Sequence, residues 1–429
     1  MSKRSPFTKI DNLLAHLYGL RRLGIKVGLE HTNELLRRCG SPHLGLKTIH
    51  IAGTNGKGST AAMIQAILRE SGLKVGLYTS PHLIRFNERI RINGFPISDE
   101  YIIEFMARFN SVIDAVEATF FEATTVLALH YFLNQEVDVA VIETGLGGRL
   151  DSTNVIDPEL TIITSIDLDH QQLLGETLID IAVEKAGIIK KQTPVLVCSQ
   201  TPEVMDVIRK KAQEKNAPII YSNDPKKINI DHHSTGFELD KKQYFVPLIG
   251  AHQAINAGLA IRAVMHHCPE MKKTEIQSGL SNTKWFGRFQ PLLKKLPIYY
   301  DVAHNPGGIR TIRASLDTLN SKVTNGIMVL KNDKNVDQIA LALDGLFNEL
   351  FVASIPESDL MDEQLLFNAL KAQNLNCNIM DSIEKGYTYL YDRALKGENG
   401  IILGSHYVAE SIFNYFEINF DNGSILCNL

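Results

Sequence analysis

Ile49-His50-Ile51-Ala52-Gly53-Thr54-Asn55-Gly56-Lys57-Gly58-Ser59-Thr60 is the stretch from which the rest of the chain can be read. An apolar, β-branched run enters a glycine-rich turn. Met63, Ile64, Ile67 and Leu68 then recur at helical spacing. The order is strand, glycine loop, helix, in which backbone N–H groups and a helix N-terminus converge on a phosphate. Lys57 can reach a terminal phosphate, and the hydroxyl of Ser59 or Thr60 can face Mg²⁺. The spacing departs from the usual phosphate loop, which has four residues before its Gly-Lys pair. Here Gly53 and Gly56 enclose only Thr54 and Asn55, and Gly58 separates Lys57 from Ser59. Taken alone, the stretch can also be a glycine turn that starts a helix; the order of elements favours nucleotide phosphate.

Outward from this stretch, short apolar runs alternate with helical patterns. On the N-terminal side, 8–20 reads as an amphipathic helix, 24–30 as irregular and 34–39 as a second helix. Strands follow at 74–78, 137–142, 160–166 and 194–198, with helices near 177–187 and 202–215. Such alternation implies a mostly parallel sheet with helices on both faces. Polar residues 222–248 break the pattern and read as short β-hairpins, and 252–266 as a helix. Trp285-Phe286-Gly287-Arg288-Phe289-Gln290-Pro291 reads as a hinge. The alternation then restarts: strands at 297–300, 326–330, 350–354 and 400–403, helices at 307–319, 336–347, 363–372 and 383–394. One boundary near 287–296 therefore separates two domains, and there is no internal repeat.

The chain has 429 residues, 44% hydrophobic and 21% charged, an ordinary globular balance with material for a large core. A formal net charge of −4 gives no reason to expect nucleic acid or an acidic membrane surface. Cys39, Cys198, Cys268, Cys377 and Cys427 are scattered, odd in number and without a Cys-x-x-Cys pair. Neither a disulfide framework nor a zinc site is indicated, and a reducing compartment fits. No apolar signal core follows Lys3 and Arg4, and no segment is long enough to span a membrane, so a cytoplasmic protein is expected.

Ligands of open parallel sheets sit beyond the carboxyl ends of the strands. The glycine loop, Ser80, Glu143 and His170 fall at such ends. Glu143 closes an apolar strand, where a carboxylate anchors nucleotide-bound Mg²⁺ or else faces solvent. His170, taken alone, is a loop histidine. Gly145-Leu146-Gly147-Gly148-Arg149-Leu150 is not a dinucleotide fingerprint, because its third glycine position is Leu150 and no helix starts there. Asp151-Ser152-Thr153-Asn154 reads instead as a loop lining a second substrate. Lys185, taken alone, is a solvated or salt-bridged lysine at a helix end. Arg288 has the planar fork that suits phosphate oxygens. Asp301 and His304 stand at the first strand end of the second domain, and facing strand ends make a cleft for small molecules.

These clusters, in this order, resemble the folylpolyglutamate synthase and dihydrofolate synthase branch of the Mur ligase family. The matching stretches are Gly53 to Thr60, Thr79-Ser80-Pro81-His82, Asn87-Glu88-Arg89-Ile90, Phe120-Phe121-Glu122, Glu143 to Asn154, Asp169-His170 and Glu184 to Ile188. Further on they are His252-Gln253 with Asn256-Ala257, Gly287 to Gln290, Asp301 to Pro306, and Gly404-Ser405. The resemblance covers nearly the whole chain. It implies an α/β fold of two domains: an N-terminal P-loop-type parallel-sheet ATPase domain (1–290), which binds ATP and pterin, and a C-terminal Rossmann-like glutamate-ligase domain (291–429).

The implied activity is ATP-dependent ligation of L-glutamate to dihydropteroate and/or the γ-carboxylate of a reduced folate, through an acyl phosphate. The resemblance assigns the ATP phosphates to Asn55, Gly56, Lys57, Gly58 and Ser59, with further ATP contacts from Asn256, Arg288, Asp301 and His304. It assigns Mg²⁺, as two ions, to Ser80, Glu143 and His170, and to Lys185 once CO₂ has converted it to a carbamate. Lys57, Lys185 and His170 form the catalytic set. Ile25, Lys26, Val27, Thr119, Phe120, Phe121, Glu122, Leu150, Asp151 and Ser152 resemble pterin contacts.

Two places depart from the family: Leu330 to Asn335 only approximates its Asp-Lys-Asp segment, and Phe286 stands where proline often precedes the hinge glycine. A monomer is the expected state. The rival readings are another Mur-type amide ligase, such as a cell-wall muramyl ligase, and a non-catalytic ATP-driven switch. Phe120-Phe121-Glu122 and Asn87-Glu88-Arg89 favour the folate branch, and the Mg²⁺ and Lys185 motifs favour an enzyme.

Overall fold

Strand β1 (Thr48–Ala52) is buried along its whole length, as are β2 (Val75–Tyr78), β5 (Val139–Glu143), β6 (Leu160–Ile163) and β7 (Val195–Val197). Parallel strands covered on both faces need such near-continuous apolar runs, here interrupted by the buried His50, Glu143 and Thr161. Together with β3 (Ile90–Ile92), β4 (Phe95–Pro96) and β8 (Ile219–Tyr221) they form an eight-stranded sheet, ordered β4-β3-β2-β5-β1-β6-β7-β8. The pairs from β2 to β8 are parallel, and β3 and β4 add an antiparallel edge. The computed structural model describes residues 9–20, 28–319, 324–355, 359–419 and 424–425.

The described residues divide into two compact units. The first comprises Met1–Ile166, Leu174–Ser222 and Leu259–Gly279; the second comprises Asp167–Leu173, Asn223–Gly258 and Leu280–Leu429. The first holds the eight-stranded sheet with helices α1 (Lys9–Gly19), α2 (Glu30–Arg38), α3 (Lys57–Glu70), α4 (Asp99–Val116) and α5 (Phe120–Asn134). Leu17, Leu35, Leu36, Phe105, Ile113, Val126 and Phe132 from these helices pack with Tyr78, Ala140 and Ile142 of the sheet in one core. Burial of this kind contributes about 25 cal/mol per Å² of apolar surface.

The sequence reading assigned no element between Tyr78 and Val137, yet α4 and α5 lie there. Ser98 caps α4 by accepting from Tyr101 N–H, and Thr119 and Glu122 close a reciprocal capping box on α5. The first unit continues with α7 (Leu178–Ala186) and α8 (Pro202–Glu214); the short α6 (Gln171–Leu174) precedes them, mostly within Asp167–Leu173 of the second unit. The division between units passes through α9 (Ala251–His267), and α10 (Lys273–Ser281) was not anticipated.

In the second unit, β9 (Lys226–Ile230), β10 (Thr235–Leu239) and β11 (Lys242–Val246) form the expected antiparallel excursion. Its larger sheet contains β12 (Gln290–Pro291), β13 (Ile298–Asp301), β14 (Thr324–Met328), β15 (Glu349–Val352), β16 (Asn378–Ile379) and β17 (Asn399–Leu403). The order is β12-β13-β17-β14-β15-β16, parallel except at β12. Helices α11 (Pro306–Thr318), α12 (Val336–Leu343), α13 (Glu363–Ala372), α14 (Ile383–Ala394) and α15 (Ala409–Tyr415) accompany it. Helix α12 stops at Leu343, short of the expected 347, because Gly345 takes φ +65°. Among the described residues no helix is long and apolar enough to cross a membrane.

Candidate active site

The glycine loop is bounded by two residues with positive φ. Gly53, at φ +152°, lies so close to Thr164 that a Cβ would collide with the Thr164 hydroxyl. Gly56, at φ +89°, precedes α3, so Lys57 is the first residue of that helix. The N–H groups of Thr54 and Asn55 donate to Ser165 O at 2.8 and 3.3 Å. The N–H groups of the first turn of α3, Lys57 to Ser59, have no intrahelical acceptor and lie at the positive end of the dipole, the arrangement that suits phosphate oxygens. Lys57 Nζ donates to Gly53 O (3.0 Å) and Thr54 O (3.2 Å).

Lys185 is not a solvated helix-end lysine. Its residue is 4% exposed and its Nζ donates to Gly53 O at 2.8 Å. Two amines thus share the carbonyl oxygen that opens the loop. The placement of Lys185 comes from the turn 145–149. A Cβ on Gly148 would stand 2.7 Å from Glu184 O and 3.0 Å from Lys185 O, and one on Gly187 would strike Arg149. Arg149 N donates to Glu184 O (2.8 Å), its Nη2 pairs with Glu184 Oε1 (2.8 Å), and Asn154 Nδ2 donates to Arg149 O and Gly187 O. Arg149 and Gly148 therefore belong to the site although the sequence reading gave them no role. The signal was the match of two glycine-containing motifs that must interlock.

Glu143, 4% exposed, ends β5 and accepts from Ser80 N at 3.2 Å. The Ser80-Pro81 peptide is cis. Among the described residues no three His, Cys, Asp or Glu side chains cluster as a metal cage. A buried carboxylate beside a serine still fits Mg²⁺, which takes hard oxygen donors and is commonly held by one or two carboxylates plus substrate phosphates.

Several residues assigned to pterin are engaged in the fold. Thr119 N donates to Glu122 Oε2 (2.7 Å), and Thr32 Oγ1 donates to Glu122 Oε1 (3.2 Å). Phe120 stacks on Tyr18 at 5.5 Å and has the Arg89 guanidinium 5.2 Å from its ring centre, and Phe121 stacks on Tyr78 at 6.0 Å. Leu150 stands between Arg149 and a buried Asp151-Ser152 pair. Ile25, Lys26 and Val27 lie outside the described residues.

The remaining candidates belong to the second unit. Asp301, at the end of β13, accepts from Phe289 N and Ala303 N, each at 2.7 Å; burial pushes its carboxyl up, with Arg288 opposing. Arg288 Nη1 donates to Gly287 O at 3.1 Å. Asn256 Nδ2 donates to Gln253 Oε1 at 3.1 Å. His304 Nδ1 lies 2.8 Å from Val302 O. Asp169 gathers Lys334 Nζ (3.1 Å), Asn305 Nδ2 (3.1 Å) and His304 Nε2 (3.7 Å). Burial would raise the Asp169 carboxyl, but His304, His170 and Lys334 hold it well below the usual range. His170 takes φ +49°, and burial pushes its imidazole down to about 4 against the pull of Asp169. These groups line a cavity of about 390 Å³ between Leu168–Leu173, His304–Pro306 and Asn332–Ile339. Lys334, unassigned from sequence, is thus a second-unit cation of the site.

Residues 51–264 match the Mur ligase middle domain. The dihydrofolate synthase/folylpolyglutamate synthase of Bacillus subtilis is 36% identical over 95% of this chain and 99% of its own. A Mycobacterium tuberculosis folylpolyglutamate synthase solved with ADP and AMPPCP superposes with a TM-score of 0.87, at 28% identity over 95% of this chain and 98% of that one. Escherichia coli FolC, solved with DHPP and ADP, gives 0.84 at 28% identity over 94% and 97%. With strand, glycine loop, buried Lys185 and strand-end Glu143 all in place, the chain belongs to the dihydrofolate synthase/folylpolyglutamate synthase branch of the Mur ligase family.

Proposed function

We propose that the protein is an ATP-dependent ligase that joins L-glutamate to dihydropteroate and to the γ-carboxylate of a reduced folate. The acceptor carboxylate attacks the γ-phosphorus of ATP, ADP leaves, and an acyl phosphate forms. The glutamate amine then attacks the acyl carbon, phosphate departs, and the amine loses a proton as the amide forms. The observation that carries this reading is the convergence of Lys57 and Lys185 on Gly53 O at the mouth of a helix N-terminus. Both substrates bring negative charge, and Lys57 with the N–H dipoles of the first turn of α3 lowers the barrier by meeting it in place.

Lys57 and the first turn of α3 hold the ATP phosphates. Ser80, Glu143 and His170 hold Mg²⁺, which when bound neutralises phosphate charge as the γ-phosphoryl moves. Lys185, once carbamylated by CO₂, presents an anion beside Lys57. Asn256, Arg288, Asp301 and His304 contact ATP. Thr119 to Glu122 and Leu150 to Ser152, with Ile25 to Val27, shape the acceptor site. The division of labour runs at 290/291, with glutamate served by the C-terminal part; the cavity of about 390 Å³, which His304–Pro306 and Asn332–Ile339 line together with Leu168–Leu173, has room for an amino acid. The protein acts as a cytoplasmic monomer.

The test is glutamate-dependent ADP release by purified protein with dihydropteroate and, separately, tetrahydrofolate. Release with both supports the bifunctional reading. Release with one reduces it to a monofunctional enzyme, and release with neither overturns it.

A further inference from the structure

We propose that His50 is a positioning residue for the acceptor loop, setting the Asp151 carboxylate through the hydroxyl of Thr153. His50 lies on β1, three residues before the glycine loop, and its side chain is fully buried. Its Nε2 is 2.8 Å from Thr153 Oγ1, and Thr153 Oγ1 is 2.5 Å from Asp151 Oδ1. Asp151 also accepts from Thr153 N (3.0 Å) and, through its other oxygen, from Leu146 N (2.8 Å). One carboxylate thus ties both ends of the loop from Leu146 to Thr153.

The proton order follows from the donor inventory. Burial raises the Asp151 carboxyl, but N–H groups donate to both of its oxygens and favour the ionised form. An ionised carboxylate only accepts, so Thr153 spends its one proton on Asp151 and must accept from His50. That fixes the Nε2–H tautomer. His50 Nδ1 is then a bare acceptor, and it is buried with no partner among the described residues. Burial also holds the ring neutral, with its pKa pushed down to about 3. A histidine that merely filled the core would do so at the cost of an orphaned nitrogen, which an apolar side chain of similar size avoids. What His50 adds is one directed N–H.

Both Asp151 oxygens point into the loop. Asp151 therefore acts on the acceptor by shaping the loop, while half-buried Leu150 makes the contact. This inference rests on the proposed assignment of that loop to the acceptor. Because β1 runs on into the phosphate loop, the His50–Thr153–Asp151 chain ties the two substrate loops of the first unit to one strand.

The experiment compares wild type with Thr153→Val, Thr153→Ser, His50→Leu and His50→Gln. It measures glutamate-dependent ADP release with acceptor and ATP varied separately, and it reads the His50 tautomer by ¹⁵N NMR. Thr153→Val and His50→Leu should raise the acceptor KM roughly tenfold, as loss of a hydrogen bond to a charged group does, and leave the ATP KM in place. Thr153→Ser keeps the hydroxyl and His50→Gln keeps an N–H at similar reach, so both should recover most of the loss. A folded Thr153→Val with wild-type acceptor KM, or with both KM values raised alike, overturns the proposal. If wild type releases no ADP with either acceptor, the functional reading fails. The tautomer then decides the relay by itself: Nε2–H upholds it and Nδ1–H refutes it.

Discussion

Replacing Gly148 with alanine moves Lys185 without touching it. The added methyl would stand 2.7 Å from Glu184 O, 3.0 Å from Lys185 O and 3.1 Å from the Ile188 side chain. The first two are backbone atoms at the end of α7, so relief requires the turn and the helix end to part by several tenths of an ångström. Overpacking of this kind costs about 1–3 kcal/mol. The same displacement carries the Lys185 amine off Gly53 O, now at 2.8 Å. A misplacement of about 1 Å near reacting groups costs roughly 10²-fold in rate, so a shift of a few tenths should cost on the order of tenfold in kcat. Gly72→Ala is the control. Gly72 takes φ +84° but has open space around its missing Cβ, so it should lose about 1 kcal/mol of stability and no activity. Thermal melts and glutamate-dependent ADP release on both variants decide the matter. A Gly148→Ala enzyme that is destabilised yet turns over at the wild-type rate would refute the argument that the turn sets Lys185 for catalysis.

Lys57→Ala should abolish ADP formation with an unchanged melting curve; normal turnover would remove ATP from the glycine loop. Lys185→Ala should be nearly inactive and partly rescued by acetate or formate occupying the vacated anionic position, and full activity without rescue would end the carbamate proposal. Asp301→Ala orphans the N–H groups of Phe289 and Ala303, so it should cost about 2–4 kcal/mol in urea melts and raise the ATP KM, with acceptor binding measured in the absence of ATP unchanged. His50 titrates near 6.5 when unfolded and near 3 when folded, so between those values the unfolded chain binds the extra proton. Its contribution is present above pH 6.5 and is lost as pH falls, by about 1.4 kcal/mol per unit and up to roughly 5 kcal/mol in all; His50→Gln should flatten that part of the stability–pH curve.

Most of the parallel strands were legible because each carries a short apolar run, and most of their ends were placed to within a residue or two; the half-exposed β8 and the two-residue β16 were not read. Helices α4 and α5 were not, although their starts are written in Ser98 with Asp99 and Glu100, and in Thr119-x-x-Glu122. Helix α5 is buried on nearly every side, so it lacks the amphipathic period that marks a surface helix. The capping box also shows why Thr119 and Glu122 are hard to read. A carboxylate that closes a cap and a carboxylate that meets a substrate share one residue type, and it takes the N–H of Thr119 at 2.7 Å and the Thr32 hydroxyl at 3.2 Å to distinguish them. Lys334 received no role for another reason: its partner Asp169 lies far off in sequence, and the local segment Leu330 to Asn335, an imperfect match to the family's, does not show which acid holds the charge.

The two glycine clusters make different physical use of the same residue, and spacing alone does not tell them apart. Gly53 and Gly56 take positive φ, and together they turn the chain from β1 into the N-terminus of α3. There the missing side chain opens backbone N–H groups to an anion. Gly148 has no such conformational need. Its missing side chain lets the turn sit on the carbonyls of Glu184 and Lys185, as Gly187 lets α7 end against Arg149. The second cluster is therefore a packing joint, which accounts for the absence of a helix after it and for the failure of a dinucleotide reading. The joint brings Lys185 to Gly53 O, so the glycines that bind no phosphate place the lysine beside the loop proposed to bind it.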